Sequence, residues 1–254
     1  MGMSGYLRKR DVIITMTQFE FKQRYRGTAL GLIWSLLAPF LLALVLFLVF
    51  RNMFSWVENF AAYVLVGVFV FRFFQVATSV GMHTIVGKSH LVTKTNIDRE
   101  LLPLATTLSY GMSSFLEILV IVPIVHVLGG NVGFTILFLP VIHFVYIIFI
   151  FGLNLFLSSL MVYFRDLNQI WEVITNVIFF ASPIVYPLTM IPESYREMYM
   201  LNPIACIIEI YRGILMENQI LLEKFIYFLL ISLALTFAGQ LFFRRMQKRF
   251  GEVL

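Results

Sequence analysis

Arg72 and Glu117 each sit inside an apolar run long enough to cross a membrane. An ionised side chain at that depth is costly. It persists where it lines a polar route, pairs with an opposite charge or snorkels to an interface. Arg72 therefore has three readings: a group on a substrate path, a snorkelling side chain, or a partner of Glu117. Glu117 has two, a member of a relay or one half of a satisfied interhelical pair. Further charges, Lys94, Asp98, Arg99 and Glu100, fall in the polar stretch 87–103 between two apolar runs. Asp98, Arg99 and Glu100 are expected to open the next helical stretch, where carboxylates suit a helix N-terminus. Either a short helix there presents these charges to a soluble partner, or the stretch is a solvated connector. The aromatics Trp34, Phe40, Phe47, Phe179 and Phe180 have a comparable ambiguity. Their faces suit the CH faces of sugars through weak contacts, and they equally suit lipid or neighbouring helices. Lipid or helix contact is the expectation for Phe144, Phe149 and Phe151.

Other chemistries have little to stand on. There is no G-x-x-x-x-G-K-[ST] loop to cradle nucleotide phosphates, no G-x-S-x-G and no H-E-x-x-H. His83, His90, His126 and His143 are scattered, without a recognisable metal-ligand spacing. The single cysteine, Cys206, excludes an internal disulfide framework. Neither a catalytic residue, a bound cofactor nor a metal is expected.

The elements that position these residues follow from composition. The chain is 60% hydrophobic and 13% charged, against about 25% charged in soluble domains, which indicates a membrane protein. Residues 28–50 contain no charge, and a helix of that length reaches about 34 Å, enough for the hydrocarbon core. Five more spans are expected, near 60–82, 101–128, 133–164, 167–186 and 225–243. The fourth is longer than a bilayer requires, so it tilts, breaks or protrudes. The first apolar run is too long for a cleavable signal peptide.

Lys and Arg set the orientation. With the N-terminus in the cytosol, Arg8, Lys9, Arg10, Lys22, Arg24, Arg26, Lys88, Lys94, Arg99, Arg165, Arg244, Arg245, Lys248 and Arg249 share that side. Arg51, Arg196, Arg212 and Lys224 lie outside. The net charge of +5 is thus a topology signal rather than a nucleic-acid footprint. Ahead of the first span, Val12, Met16 and Phe19 fall at helical spacing with Lys22, Arg24 and Arg26 following. This pattern suits an amphipathic helix in the membrane interface, the alternative being a plain extension of the first span. Residues 187–223 hold three prolines around an apolar run and are too short for two crossings. They read as an external hairpin that re-enters the membrane. Gly27, Gly31 and Gly67 are candidates for close helix packing. The expected fold is an all-α polytopic membrane protein of one domain: an N-terminal segment 1–27, a six-span region 28–243 and a basic tail 244–254.

Certain fragments, in this order, carry a family likeness: Arg24-Tyr25, Leu30-Gly31, Trp34 and Pro39; Lys94 with Arg99-Glu100-Leu101-Leu102-Pro103; and Tyr163-Phe164-Arg165-Asp166-Leu167. Ser182-Pro183-Ile184-Val185-Tyr186, then Leu201-Asn202-Pro203 with Tyr211-Arg212, complete the set. Across nearly its whole length the chain resembles the membrane subunit of bacterial type 2 ABC exporters, especially those moving O-antigen, capsule or teichoic-acid polysaccharides. The resemblance implies a homodimer in the bacterial inner membrane with two separate ATP-binding cassette subunits, which bind the ATP and Mg. It implies a lipid-linked polysaccharide as substrate and no enzymatic activity in this chain. Lys94, Asp98, Arg99 and Glu100 would couple to the ATPase. Phe19, Arg24, Tyr25 and Arg26 would belong to the interface helix. Trp34, Phe40, Phe47, Arg72, Phe179 and Phe180 would line the path, with arginine at 72 where the family usually has a polar residue. A drug or lipid exporter, an integral-membrane enzyme acting on lipid-linked sugars, and a structural partner in a membrane complex are the rival readings.

Overall fold

A long apolar segment with no water to satisfy its backbone must satisfy it internally, and here it does so as helices. The computed structural model describes residues 3–26, 31–95 and 97–254. Gly27 and the expected start of the first span, 28–30, lie outside the described residues. The helices are α1 (Met3–Tyr25), α2 (Leu32–Phe50), α3 (Phe60–Gly81), α4 (Thr84–Gly87), α5 (Ser89–Lys94) and α6 (Leu101–Val127). They continue as α7 (Leu139–Tyr163), α8 (Leu167–Phe180), α9 (Glu193–Met200), α10 (Pro203–Met216), α11 (Leu222–Met246) and α12 (Phe250–Val253).

Among the described residues, five helices or helix runs are long and apolar enough to cross a membrane, and they match five of the six expected spans closely. The long fourth span is continuous but changes helix type near its start. Residues Phe134–Phe138 form a 3-10 turn, and α7 starts behind it with a proline in its first turn. The fifth span differs from expectation. Helix α8 has 14 residues, about 21 Å, and stops short of a full crossing. The passage is finished by the turns of 181–186, where Pro183 cannot continue a helix. Its contacts track all of α3. His83 meets Asn168, Trp171 Nε1 donates to Thr78 Oγ1, Phe71 meets Phe179, and Tyr63 donates its hydroxyl to the Tyr186 carbonyl. The fifth passage is therefore half helix and half turn.

Helix α3 is the centre of the bundle. Of its spanning segment 72% is buried, against 17% for that of α2. Polar ties fix its neighbours. Asn154 of α7 donates to the Ala77 carbonyl and to Thr107 Oγ1 of α6. His143 of α7 joins α6 to α10. Its Nε2 must donate to the Gly111 carbonyl, so Nδ1 accepts from the Tyr211 hydroxyl, at 2.9 and 2.7 Å. Helices α7 and α11 meet across Gly152, Thr236 and Gly239. A Cβ on Gly239 would lie 2.5 Å from the Gly152 carbonyl oxygen, so only small residues permit this approach. Among the glycines expected to permit packing, Gly67 does: a Cβ there would press on Arg212 and the Ile184 backbone. Gly31 instead has open space around it and a φ of 47°, a left-handed conformation that starts α2.

The segment 187–223 contains a bent helix pair. Helices α9 and α10 meet at 99°, with α9 on the surface and α10 buried along nearly its whole length. Arg212 of α10, expected among the outside charges, is 3% exposed. Its guanidinium lies 3.3 Å over the Tyr63 ring and donates to the carbonyls of Tyr63 and Ile184. It also pairs with Glu209 at 2.9 Å. Arg212→Leu should therefore lower stability by about 3–5 kcal/mol, since it strands two carbonyls and leaves Glu209 only the longer pair with Lys224. Arg212→Lys should recover less than half, because an ammonium lacks the planar fork. Unfolding in detergent, followed by tryptophan fluorescence, reads both; a loss under about 1 kcal/mol for Arg212→Leu contradicts this role.

Candidate functional site

Arg72 lies near the middle of α3, and Gln75, three residues on, shares its face. Both line a cavity of about 240 Å³ closed by Pro39 and Leu42 of α2, Phe71 of α3, and Asn176, Phe179 and Phe180 of α8. A second cavity of about 220 Å³ adjoins it through the shared Phe179 and Phe180. Phe50, Phe54, Val185 and Tyr186 wall that one. Together they form a groove between α2, α3 and α8. Phe179 packs edge-on against Phe71 at 5.1 Å and against Phe180 at 5.3 Å. Phe180 is 74% exposed.

The structure thus brings Arg72, Phe179 and Phe180 together. Trp34 and Phe40 lie on the exposed face of α2 and line neither cavity. Phe47 is turned inward against Phe60, with ring centroids 6.3 Å apart, so it is a packing residue within the chain. Of the lipid-or-packing aromatics, Phe149 is buried and Phe144 exposed. Gln75 and Asn176 were missed by sequence reasoning. Their signal was a neutral polar residue inside an apolar run, one of them at helical spacing from Arg72.

Behind Arg72 is a tight space shared by Arg24, Tyr110, Ser114 and Glu117. Arg72 and Glu117 do not form an ion pair, and Arg72 has none among the described residues. Glu117 is 4% exposed and is hydrogen-bonded to Ser35; its Oε1 has no hydrogen-bond partner among the described residues. The Arg24 guanidinium stacks on Tyr110 at 4.1 Å. Two cations and one carboxylate converge, so the cluster carries one surplus positive charge.

Helix α1 runs along the first part of α6 rather than standing apart. Lys9 pairs with Asp98, Glu20 with Lys88, and Arg24 reaches Tyr110. Val12 and Met16 are half-buried, whereas Phe19 is 63% exposed on the other face with Ile14, Lys22 and Arg26. The expected apolar stripe is split because Glu20 and Arg24 find partners inside. Between α1, α3, α4 and α6 is a cavity of about 340 Å³, lined by Glu20, Gln23, Arg24, His83, Lys88, Tyr110 and others.

In the charged loop 87–103, Asp98, Arg99 and Glu100 lead directly into α6, with Glu100 at its N-cap, so the carboxylates lie near the helix N-terminus as expected. Their side chains also have distant partners: Glu100 accepts from Arg244 Nε at 2.8 Å, Arg99 donates to the Gln247 carbonyl, and Asp98 holds Lys9. These three charges tie the loop to α1 and to the end of α11. Val92 of α5 is buried in a cluster with Ile85, Leu102, Phe243 and Phe250. Lys94, at the end of α5, is exposed and has no ion pair among the described residues. The Glu20–Lys88 pair is mostly buried, so a double-mutant cycle with Glu20→Gln and Lys88→Gln should give a coupling of about 1–3 kcal/mol, between exposed and buried pairs. Thermal unfolding of the four proteins measures it; additive effects would mean that the pair does not hold α1.

The family described as ABC-2 type transporter matches residues 11–216. A protein from Klebsiella pneumoniae named O-antigen export system permease protein RfbA is 28% identical over 252 residues, covering 98% of this chain and 96% of that protein. One of the same name from Myxococcus xanthus is 29% identical over 251 residues, covering 96% and 95%. With most of its length matched in order, this chain belongs to the ABC-2 type transporter family of membrane subunits.

Proposed function

We propose that this chain is the permease subunit of an ATP-driven exporter that moves a lipid-linked polysaccharide out of the cytosol across the bacterial inner membrane. The observation that carries this reading is the groove of α2, α3 and α8, where aromatic faces alternate with Arg72, Gln75 and Asn176. A sugar polymer offers both apolar CH faces and hydroxyls, and this lining answers both. The polar rungs favour a hydrated polymer over an apolar drug. The full-length likeness to proteins named O-antigen export permeases supports the same class.

The working unit is a homodimer with two ATP-binding cassette subunits. Helix α2 leaves an apolar surface with Trp34 and Phe40 outward, and a second copy brings these rings toward the groove of α8. Trp34, Phe40, Arg72, Phe179 and Phe180 then recur around one axis, and Phe47 supports α2 from behind. Both termini are cytosolic, with 187–223 outside. Phe19 and Arg26, exposed on α1, meet the lipid-linked end of the substrate at the cytosolic surface, while Arg24, turned inward onto Tyr110, and its neighbour Tyr25 belong to the face of α1 that holds to the bundle. ATP and Mg are bound by the partner subunit. Its nucleotide state reaches the spans through the coupling loop: Lys94 faces the ATPase, while Asp98, Arg99 and Glu100 hold the loop to α1 and α11. ATP binding then biases a closed–open equilibrium of the dimer.

The purified chain should hydrolyse no ATP, and hydrolysis should appear on assembly with a Walker-containing subunit. Lys94→Glu should cut coupled export at least fivefold with the permease still folded. Paired alanines at Phe179 and Phe180 should cut surface polysaccharide at matched protein level more than either alone, while Phe144→Ala leaves it unchanged. Immunoblotting of surface polysaccharide reads the export variants. Equal losses from Phe144→Ala and from the groove variants would show that the groove is not the path.

A further inference from the structure

We propose that Arg72 is an anion contact on the export path, and that the polymer this permease carries bears carboxylate or phosphate groups. The inference rests on the reading that α2, α3 and α8 line the path, and it names the chemical class of the cargo.

Arg72 sits in mid-membrane on the central helix and lines the groove with neutral Gln75 and Asn176 beside it. Among the described residues the groove lining contains no carboxylate. Glu117 lies behind Arg72, outside the groove, and faces Arg24 as well. One carboxylate cannot neutralise two guanidinium groups, so a positive charge is left for the groove. A cation at that depth is retained where something compensates it. In an aqueous path the compensating group is water when the path is empty and an anion when cargo is present. The guanidinium fork matches carboxylate and phosphate with two parallel hydrogen bonds. Gln75 and Asn176 offer further donors and acceptors to the same sugar ring. In a water-filled path the attraction would be screened, so that the polymer could step past one repeat at a time. A neutral polymer could accept single hydrogen bonds through its hydroxyls but would not form the bidentate ion pair.

The test uses the complete permease–ATPase complex in nanodiscs with nucleotide bound. The probes are fluorescent oligogalacturonate and the same oligomer with its carboxylates reduced to alcohols, and anisotropy gives the affinities. The wild type should bind the acidic oligomer at least tenfold more tightly, a preference that shrinks with salt. Arg72→Gln should reduce the preference below twofold and leave affinity for the neutral oligomer within twofold, which also shows that the groove is intact. Arg72→Lys should keep most of the preference. Equal binding of both oligomers by the wild type, or a preference that survives Arg72→Gln, overturns the proposal and leaves polysaccharide export standing. Binding of neither oligomer by the wild type overturns both.

Discussion

Backbone polar groups buried away from water must find partners, and this fold depends on how it meets that demand where its helices stop short. Helix α8 ends at Phe180, short of a full crossing, and the next long helix, α10, begins only at Pro203, which leaves carbonyls at 181–186 without helical partners. Arg212 takes the Ile184 carbonyl together with that of Tyr63, Tyr63 takes the Tyr186 carbonyl, and Asn202 takes that of Ala181. Tyr186 returns its hydroxyl to the Phe180 carbonyl. With these bonds the turn becomes a rigid half of a crossing. That rigidity holds Phe179 and Phe180 against Phe71, so the groove is a consequence of the capped break.

The charges divide by the same logic. Arg212 is consumed by structure, since its two terminal nitrogens donate to Glu209 and to the Tyr63 and Ile184 carbonyls while its plane lies over the Tyr63 ring. Glu100, Arg99 and Asp98 are consumed in tying the basic end together. Arg72 is different, because its groove side meets only neutral polar groups and aromatic rings. Lys94 is different too, as it stands exposed at the end of a helix whose other face is anchored by Val92. Arg72 and Lys94, neither in an ion pair among the described residues, are thus the charges on which the proposed path and coupling surface rest.

Much of this was legible in the sequence. Long apolar runs located α2, α3, α6 and α11 to within a few residues, and excess length in the fourth run matches the 3-10 turn ahead of α7. Arg72, Phe179 and Phe180 were visible as anomalies of charge and aromatic content. What stayed hidden depended on distant partners. Arg212 reads as an external charge until the Tyr63 carbonyl, 149 residues away, is placed beside it. Phe19 reads as part of an apolar stripe until Glu20 and Arg24 turn inward to Lys88 and Tyr110. Gln75 and Asn176 are ordinary polar residues until α3 and α8 set them around one cavity. Local periodicity reports which residues can share a face, but not which face is left for function.

The central claim is that the groove of α2, α3 and α8 carries the polymer. Photo-crosslinking during active export tests it most directly, with benzoylphenylalanine placed at Gln75, Asn176 or Phe180, and at Phe144 and Leu230 on exposed faces elsewhere. The account predicts polysaccharide adducts from the first three positions and none from the other two. Adducts from Phe144 or Leu230, with none from the groove, would contradict it.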